Sequence, residues 1–358
     1  MKIAYVANIY EFNCGPLKKM QGQMKAWLAL GHEVRPFFIH QAHSEDSEFT
    51  QWQRLNMLNP QFALLRALKE YKPDLVYLRE QPVGLFLLLL LFLFRKKMVV
   101  EINSRMRTEQ AGNIQKSLRS KGRHNMNVWA QPHIMKKVLG IVAVTEELTR
   151  FPEFYNKNNA VIPNGIWLDD FSVLKRPDGL SFPIRLVFMG SPDQAWSGVD
   201  KMLKMLELLG TGFELHLIGP DMRQAFAARQ ENVFWHGYLR QKEYSEILKD
   251  MHIALGTFAW HRSQINEACP IKVREYLAAG FPVINAYRDT AFMNFKHECL
   301  LEIPNKENLF ETPGLLDEVR RFCVRNRNTV AKLEDFRSRI DMFELEKSKM
   351  NQIGGWLK

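Results

Sequence analysis

Cysteine is scarce in this chain: Cys14, Cys269, Cys299 and Cys323 are the only four in 358 residues, with no Cys-x-x-Cys pair and no Cys/His cluster at zinc spacing. A disulfide scaffold and a zinc module are thereby excluded, and a reducing, cytoplasmic setting is expected. No apolar stretch is long enough to cross a bilayer. The continuous run Leu85 to Phe94 has ten residues, against the roughly 20 that a spanning helix needs. The opening "MKIAYVANIY" has neither an apolar h-region nor a small-residue cleavage site, so no secretory leader is expected. Gly-x-Gly-x-x-Gly, Asp-x-Asp, fixed-period repeats and low-complexity tracts are also missing, which removes the dinucleotide fingerprint and an acidic metal-holding motif.

What is present is ample core material, 46% hydrophobic and 25% charged residues, and a length that fits about two domains of roughly 100–200 residues each. The formal charge of +10 is unevenly placed: residues 1–175 hold 24 basic and 15 acidic side chains, and residues 176–358 hold 25 and 24. Between 95 and 123 there are nine basic residues against Glu101 and Glu109. This favours an anionic partner such as phospholipid or a phosphorylated substrate, or it is simply a basic soluble surface. The run 85–94 reads either as a buried helix between strands or as one that touches a membrane surface with Arg95, Lys96 and Lys97 at the headgroups.

Strands and helices alternate through both halves. Strands are expected at 2–8, 33–39, 74–80, 98–103, 140–146 and 159–165, with helices at 17–32, 59–73 and 84–97. A Pro/Gly-rich, charged break at 174–183 suggests a linker. The alternation then restarts, with strands at 184–191, 213–220, 232–238, 252–258 and 282–286 and helices at 196–210 and 241–251. The tail reads as helical. Such alternation indicates α/β architecture with two doubly wound parallel sheets. In such sheets ligands bind beyond the carboxyl ends of the strands. Gly15 after the first strand, and Gly190 and Ser191 after the strand at 184–191, therefore serve either tight turns or the approach of a phosphate to backbone N–H groups.

"NEACPIKVREYLAAGFPVINA" (266–286) carries two glutamates separated by seven residues. Pro270 suits a first helical position, leaving Glu267 in the preceding loop with Lys272 and Glu275 in the first turns. Carboxylates suit sugar and ribose hydroxyls, and lysine suits phosphate. The plainer reading makes Glu267 a dipole-favourable acid and places Glu275 on a solvated face.

Glu267-x7-Glu275 followed by "YLAAGFPVI" resembles the E-x7-E signature of retaining glycosyltransferases of the GT-B fold, family four. "LGHEV", "KPDLVYLR", "VIPNGIWLDDF", "WSGVDKML", "LIGP" and "WHGYL" fall in matching order along nearly the whole chain. The resemblance implies two Rossmann-like domains facing across a cleft: an acceptor-binding domain at 1–176, a nucleotide-sugar domain at 183–340, and a helix at 341–358 crossing back to the first. It implies Glu275 at the ribose, Glu267 at the donor sugar and Lys272 at the diphosphate. Ile271 contributes through the backbone of 267–272, and Tyr238 and Leu239 flank the nucleobase. Gly190 and Ser191 complete the donor side; Gly15, Asn103 and Arg105 lie toward the acceptor.

The sequence departs from the family pattern at four points: Ser197, Asn103, Trp167 in place of the aspartate of Asn-Gly-Val-Asp, and the lack of a basic residue near Gly190. Ser197 stands where the lysine of a Lys-Gly pair is usual, so Lys201 and Arg262 become candidate helpers to Lys272 at the diphosphate. Asn103 stands where a histidine is usual. The implied chemistry is retaining, metal-independent transfer of a sugar from a UDP- or GDP-type donor to a glycan or lipid-linked acceptor, with front-face displacement and no other cofactor. Nucleic acid is not an expected partner. A sugar-nucleotide epimerase or hydrolase, or a non-catalytic anion- or membrane-binding protein, are the alternatives; neither the acceptor nor the oligomeric state is specified by the sequence.

Overall fold

The computed structural model describes residues 1–9, 15–40, 60–105, 118–174, 183–191, 194–219 and 231–358. They divide into two units, Met1–Ile166 with Asp341–Lys358, and Trp167–Ile340. The chain passes between units at 166/167, ahead of the Pro/Gly-rich segment, of which 175–182 lies outside the described residues.

The first unit is a parallel six-stranded sheet, β2-β1-β3-β4-β5-β6, built from β1 (Lys2–Ile9), β2 (Glu33–His40), β3 (Leu75–Arg79), β4 (Met98–Ile102), β5 (Gly140–Ala143) and β6 (Asn159–Val161). Its helices are α1 (Gly15–Ala29), α2 (Pro60–Tyr71), α3 (Leu85–Phe94), α4 (Leu118–Met135), α5 (Glu146–Arg150) and, from the far end of the chain, α11 (Met342–Trp356). Ile3 through Ala7 are all buried, because β1 is central and covered on both faces, which demands an unbroken apolar run rather than alternation. The strand expected at 140–146 stops at Ala143 because Thr145 turns its hydroxyl to cap α5, accepting from Leu148 N at 3.2 Å.

A charged cluster is buried inside this unit. Glu101 at the end of β4 accepts from Lys19 of α1 at 3.0 Å, Gln23 at 2.8 Å and Tyr77 at 3.0 Å. Lys349 of α11 lies 3.6 Å from the same carboxylate and 2.6 Å from Glu346, which also accepts from Trp27 Nε1 at 2.8 Å. Burial pushes the Glu101 carboxyl up, but Lys19, Lys349 and Arg79 more than offset this and hold it well below the usual range. The Lys19 ammonium is pulled down to about 8 by burial, against the opposing pull of Glu101. The cluster fastens α11 to α1 and β4. A parallel bridge between Ile166 and Asp341, with Met342 N donating to Ile166 O at 2.9 Å, fastens its start. Gly165 is required there, since a Cβ would stand 2.8 Å from Met342 Cα.

The second unit has its own parallel sheet, β14-β12-β10-β7-β8-β9, made of β7 (Ile184–Met189), β8 (Phe213–Ile218), β9 (Val233–Gly237), β10 (Ile253–Leu255), β12 (Val283–Asn285) and β14 (Leu300–Glu302). A separate two-stranded parallel pair joins β11 (Glu267–Ala268) to β13 (Arg288–Asp289). The helices are α6 (Val199–Leu209), α7 (Gln241–Leu248), α8 (Ile271–Ala278), α9 (Leu315–Asn326) and α10 (Leu333–Ile340). The helix expected from 196 begins at Val199 because Gly198 takes φ +73°, a left-handed turn that breaks helical geometry. Phe188, Met202, Met205, Leu206, Leu217, Val319 and Phe322 form the core between the sheet, α6 and α9.

Glu101→Ala leaves Lys19 and Lys349 buried with half their counter-charge, and should cost about 3–5 kcal/mol, read as a lower urea midpoint at pH 7. Because the carboxyl is held below its unfolded value, its contribution is present above the usual carboxylate range and disappears as pH falls through the depressed folded value. A variant with the wild-type midpoint at pH 7 would show that the cluster does not hold the unit together.

Candidate functional site

At the carboxyl ends of three adjacent strands of the second sheet stand glycines: Gly190 and Gly219 directly after β7 and β8, and Gly237 as the last residue of β9. Gly190 N donates to Ile218 O at 2.9 Å, and Gly219 N to Gly237 O at 2.7 Å. A Cβ on Gly219, whose φ is +99°, would stand 1.8 Å from Gly190 O. Here glycine is needed both for conformation and for space, and the carboxyl ends of β7, β8 and β9 lie flush. Beyond them Gly190 is half-buried and Ser191 exposed. Directly after β9 come Tyr238, 72% exposed, and the half-buried Leu239.

The segment bearing the two glutamates packs against the carboxyl end of β7. Pro270, expected at the first helical position, instead caps the helix: with φ −72° and ψ 137° it ends an extended stretch, and α8 begins at Ile271. Lys272 in the first turn donates from Nζ to Met189 O at 3.0 Å and lies 4.0 Å from the centre of the Phe188 ring. Burial pulls this ammonium down to about 7. Tyr276, one turn on, accepts the Met189 N–H at its hydroxyl at 2.8 Å, so two side chains of α8 hold the last residue of β7. Ile271 is half-buried at the helix start, and Glu275 is half-buried on the same helix. Burial, then the charge of Glu275, then Tyr238 push the Tyr244 hydroxyl of α7 up to about 12. Glu275, Tyr238 and Tyr244 therefore share one neighbourhood. Glu267 on β11 is buried, with Oε1 3.4 Å from Nη2 of Arg288, its register partner on β13.

Sequence reasoning missed what fixes this segment. Arg274 is completely buried and makes a bidentate pair with Asp289, both contacts at 2.5 Å, while Nη2 also donates to Cys269 Sγ at 2.9 Å and Nη1 to Pro270 O at 3.2 Å. Asp289 accepts the Ala291 N–H at 3.0 Å as well. One guanidinium thus ties α8 to β13 and to the turn leaving β11. The available signal was an arginine on the helical face shared with Leu277 and Ala278, where a buried cation must have an acid.

Lys201 and Arg262, expected at the diphosphate, are paired with the carboxylates of Asp200 and Glu307. Arg262 reaches both Asp200 oxygens at 3.0 and 2.6 Å and both Glu307 oxygens at 3.0 and 2.6 Å. Lys201 Nζ donates to Glu307 O at 2.7 Å and to its Oε1 at 2.8 Å. His261 Nε2 lies 2.7 Å from the same carboxylate, which Arg262, His261 and Lys201 hold far below its usual range. Together with the Trp196–Trp260 stack at 4.4 Å, these groups clamp the loops after β7, β10 and β14. Ser197 is buried within this clamp.

In the first unit Gly15 is the first residue of α1. Asn103, just past β4, is gripped at both ends of its amide: Oδ1 accepts from Lys19 Nζ, and Nδ2 donates to Glu101 at 3.2 Å. Arg105 pairs with Glu153 at 2.9 Å and lies 4.0 Å from the Phe151 ring centre. The structure thus joins Asn103 to α1 through Lys19, a residue the sequence did not single out. Asn13 and Cys14, which precede Gly15 in sequence, and Asp193, which follows Ser191, fall outside the described residues. Among the described residues no three His, Cys, Asp or Glu side chains are grouped to hold a metal ion.

Two parallel six-stranded sheets with helices on them are the architecture of GT-B glycosyltransferases. Residues 183–309 match the family model described as glycosyl transferases group 1. Over whole chains, the fold is similar to the lipopolysaccharide outer core galactosyltransferase WaaB in its apo form (13% identity, 99% of each chain, TM-score 0.65). It is also similar to HepE from Anabaena in complex with UDP-glucose (12%, 99% of this chain and 100% of that one, 0.63). An alpha-glucosyltransferase solved with UDP-glucose and DNA containing an abasic site matches likewise (12%, 99% of each, 0.62). No curated protein matches in sequence.

Asp289→Ala strips Arg274 of its buried partner and should cost the second unit about 3–5 kcal/mol. Thermal unfolding measures this, and the double change Arg274→Met with Asp289→Leu should recover part of the loss because no buried charge remains. A single variant as stable as wild type would remove the pair from the account of how the segment is held.

Proposed function

We propose that this protein is a retaining, metal-independent glycosyltransferase that moves a sugar from a nucleoside diphosphate donor of UDP or GDP type to a glycan or lipid-linked acceptor, with no cofactor beyond the donor. The observation that carries the reading is the placement of Glu267, Lys272 and Glu275 on one braced segment held against the carboxyl end of β7. Glu275 offers acceptor oxygens to ribose hydroxyls, near Tyr238 and Leu239 for the base. Lys272 and the first N–H groups of α8 face a diphosphate, whose developing charge on departure they would stabilise. Glu267 serves the donor sugar. Structural neighbours solved with UDP-glucose support the donor class.

Lys272 gives the reading a pH signature. In the free protein burial pulls its ammonium down to about 7. A diphosphate beside it favours the charged form and raises that value. Binding should therefore take up a proton above pH 7 and weaken as pH rises, until the value in the complex is also passed. Calorimetry of UDP binding at pH 8 in buffers of different ionisation enthalpy reads the proton directly; no buffer dependence, or proton release, contradicts the role given to Lys272.

Calorimetric comparison of UDP-, GDP-, ADP- and dTDP-sugars identifies the donor. Glu275→Ala should weaken it by roughly 10- to 100-fold, the value of a charge-assisted hydrogen bond or two. Undiminished affinity would refute the ribose contact, and an inverted anomeric centre in the product, seen by proton NMR, would refute retention. Donor turnover without acceptor would point to the epimerase or hydrolase alternative, and transfer to duplex DNA in place of a glycan would overturn the acceptor class.

A further inference from the structure

The helix α3 is apolar on every side: all ten of its residues are Leu or Phe. Its inner side needs this, since Phe86, Leu87, Leu90, Leu91 and Phe94 are buried. A helix covered on one face normally carries polar residues on the other. Here the outer positions are Leu85, Leu88 and Phe92, exposed by 62%, 47% and 79%. Their spacing of three and four residues places them on a single stripe. The turn that follows is Arg95-Lys96-Lys97, with no acid in it. Lys97 is engaged, donating to Pro73 O at 2.7 Å; Arg95 and Lys96 are exposed.

Three occupants of such a face can be compared. Among the described residues no helix is long and apolar enough to cross a membrane, and ten residues cover only about half of a bilayer core. A second copy of the chain would need a larger patch: three partly exposed side chains offer a few hundred Å², against about 800 Å² per partner in a stable interface. A lipid surface fits both halves of the feature. Apolar side chains enter the headgroup–acyl boundary while the cations at the helix end meet lipid phosphates. The excess of basic over acidic residues in the first half of the chain, 24 against 15 through residue 175, supplies the matching long-range field.

We infer that the outer face of α3 docks the protein on an anionic lipid surface, with Leu85, Leu88 and Phe92 in the interface and Arg95 and Lys96 among the phosphates. This deepens the acceptor reading above, and rests on it for the purpose of docking, since a lipid-linked acceptor is met only at such a surface. The test is flotation of the full chain with vesicles of phosphatidylcholine, with and without phosphatidylglycerol, at low and high salt. Wild type should float with the anionic vesicles, and less so as salt rises. Leu88→Ser with Phe92→Ser should lower partitioning at least tenfold while the thermal midpoint and donor affinity stay unchanged. Arg95→Gln with Lys96→Gln should reduce binding and flatten its salt dependence.

Wild type that does not float, or a serine variant that floats equally well, overturns the proposal. A wild-type dimer that the serine variant splits would overturn it in favour of a second copy. Vesicle binding requires no donor, so loss of donor binding would refute the enzymatic reading and leave this result standing by itself.

Discussion

A guanidinium with no access to water sets the geometry of the candidate site. Arg274 can remain charged in the core only because Asp289 answers it with two oxygens, and that bond spans α8 and β13. β13 in turn pairs with β11, placing Arg288 opposite Glu267. The three side chains that the proposed chemistry needs therefore stand on elements whose mutual positions are fixed by one buried ion pair and one two-residue ladder. Breaking such a pair is far more costly than never having had it, so the constraint is rigid as well as local. Tyr276 and Lys272 extend it to β7 through the two backbone groups of Met189.

The cations around this site differ in what answers them. Arg262 and Lys201 are met by the carboxylates of Asp200 and Glu307, and an anion approaching them would have to displace those bonds. Lys272 is met by a carbonyl and an aromatic face, which attract a cation without cancelling its charge. Ser197, where the resemblance would put a lysine, is buried in a loop that serves the clamp.

Much of the fold was legible from periodicity. Apolar runs such as 3–7 and 98–100 mark strands covered on both faces, and Pro270 marks a helix start. The E-x7-E segment was legible from its spacing and its surroundings. Side-chain commitments were not, because they depend on partners far away in sequence. Arg262 is held by Glu307, 45 residues on, and Lys19 is joined to Asn103 across 84 residues. Arg274 looked like one more charge on an amphipathic helix, although its place beside Leu277 and Ala278 was evidence of burial. The ten-residue apolar run illustrates the opposite limit: sequence showed that it could be buried, and only the structure showed that one side of it is not.

The first unit is assembled from both ends of the chain, and this imposes an order on its formation. Ribosomes deliver residues 1–166 first, yet Glu101 and Lys19 await Lys349 and Glu346, which arrive with the final helix. The second unit is one uninterrupted stretch, Trp167–Ile340, and has all it needs as soon as residue 340 has emerged. The part synthesised first is thus the last to be completed. Until then a nascent chain carries an open sheet with an uncovered α1 and a partly answered carboxylate, so premature termination near the C-terminus would strand the N-terminal half while sparing the middle.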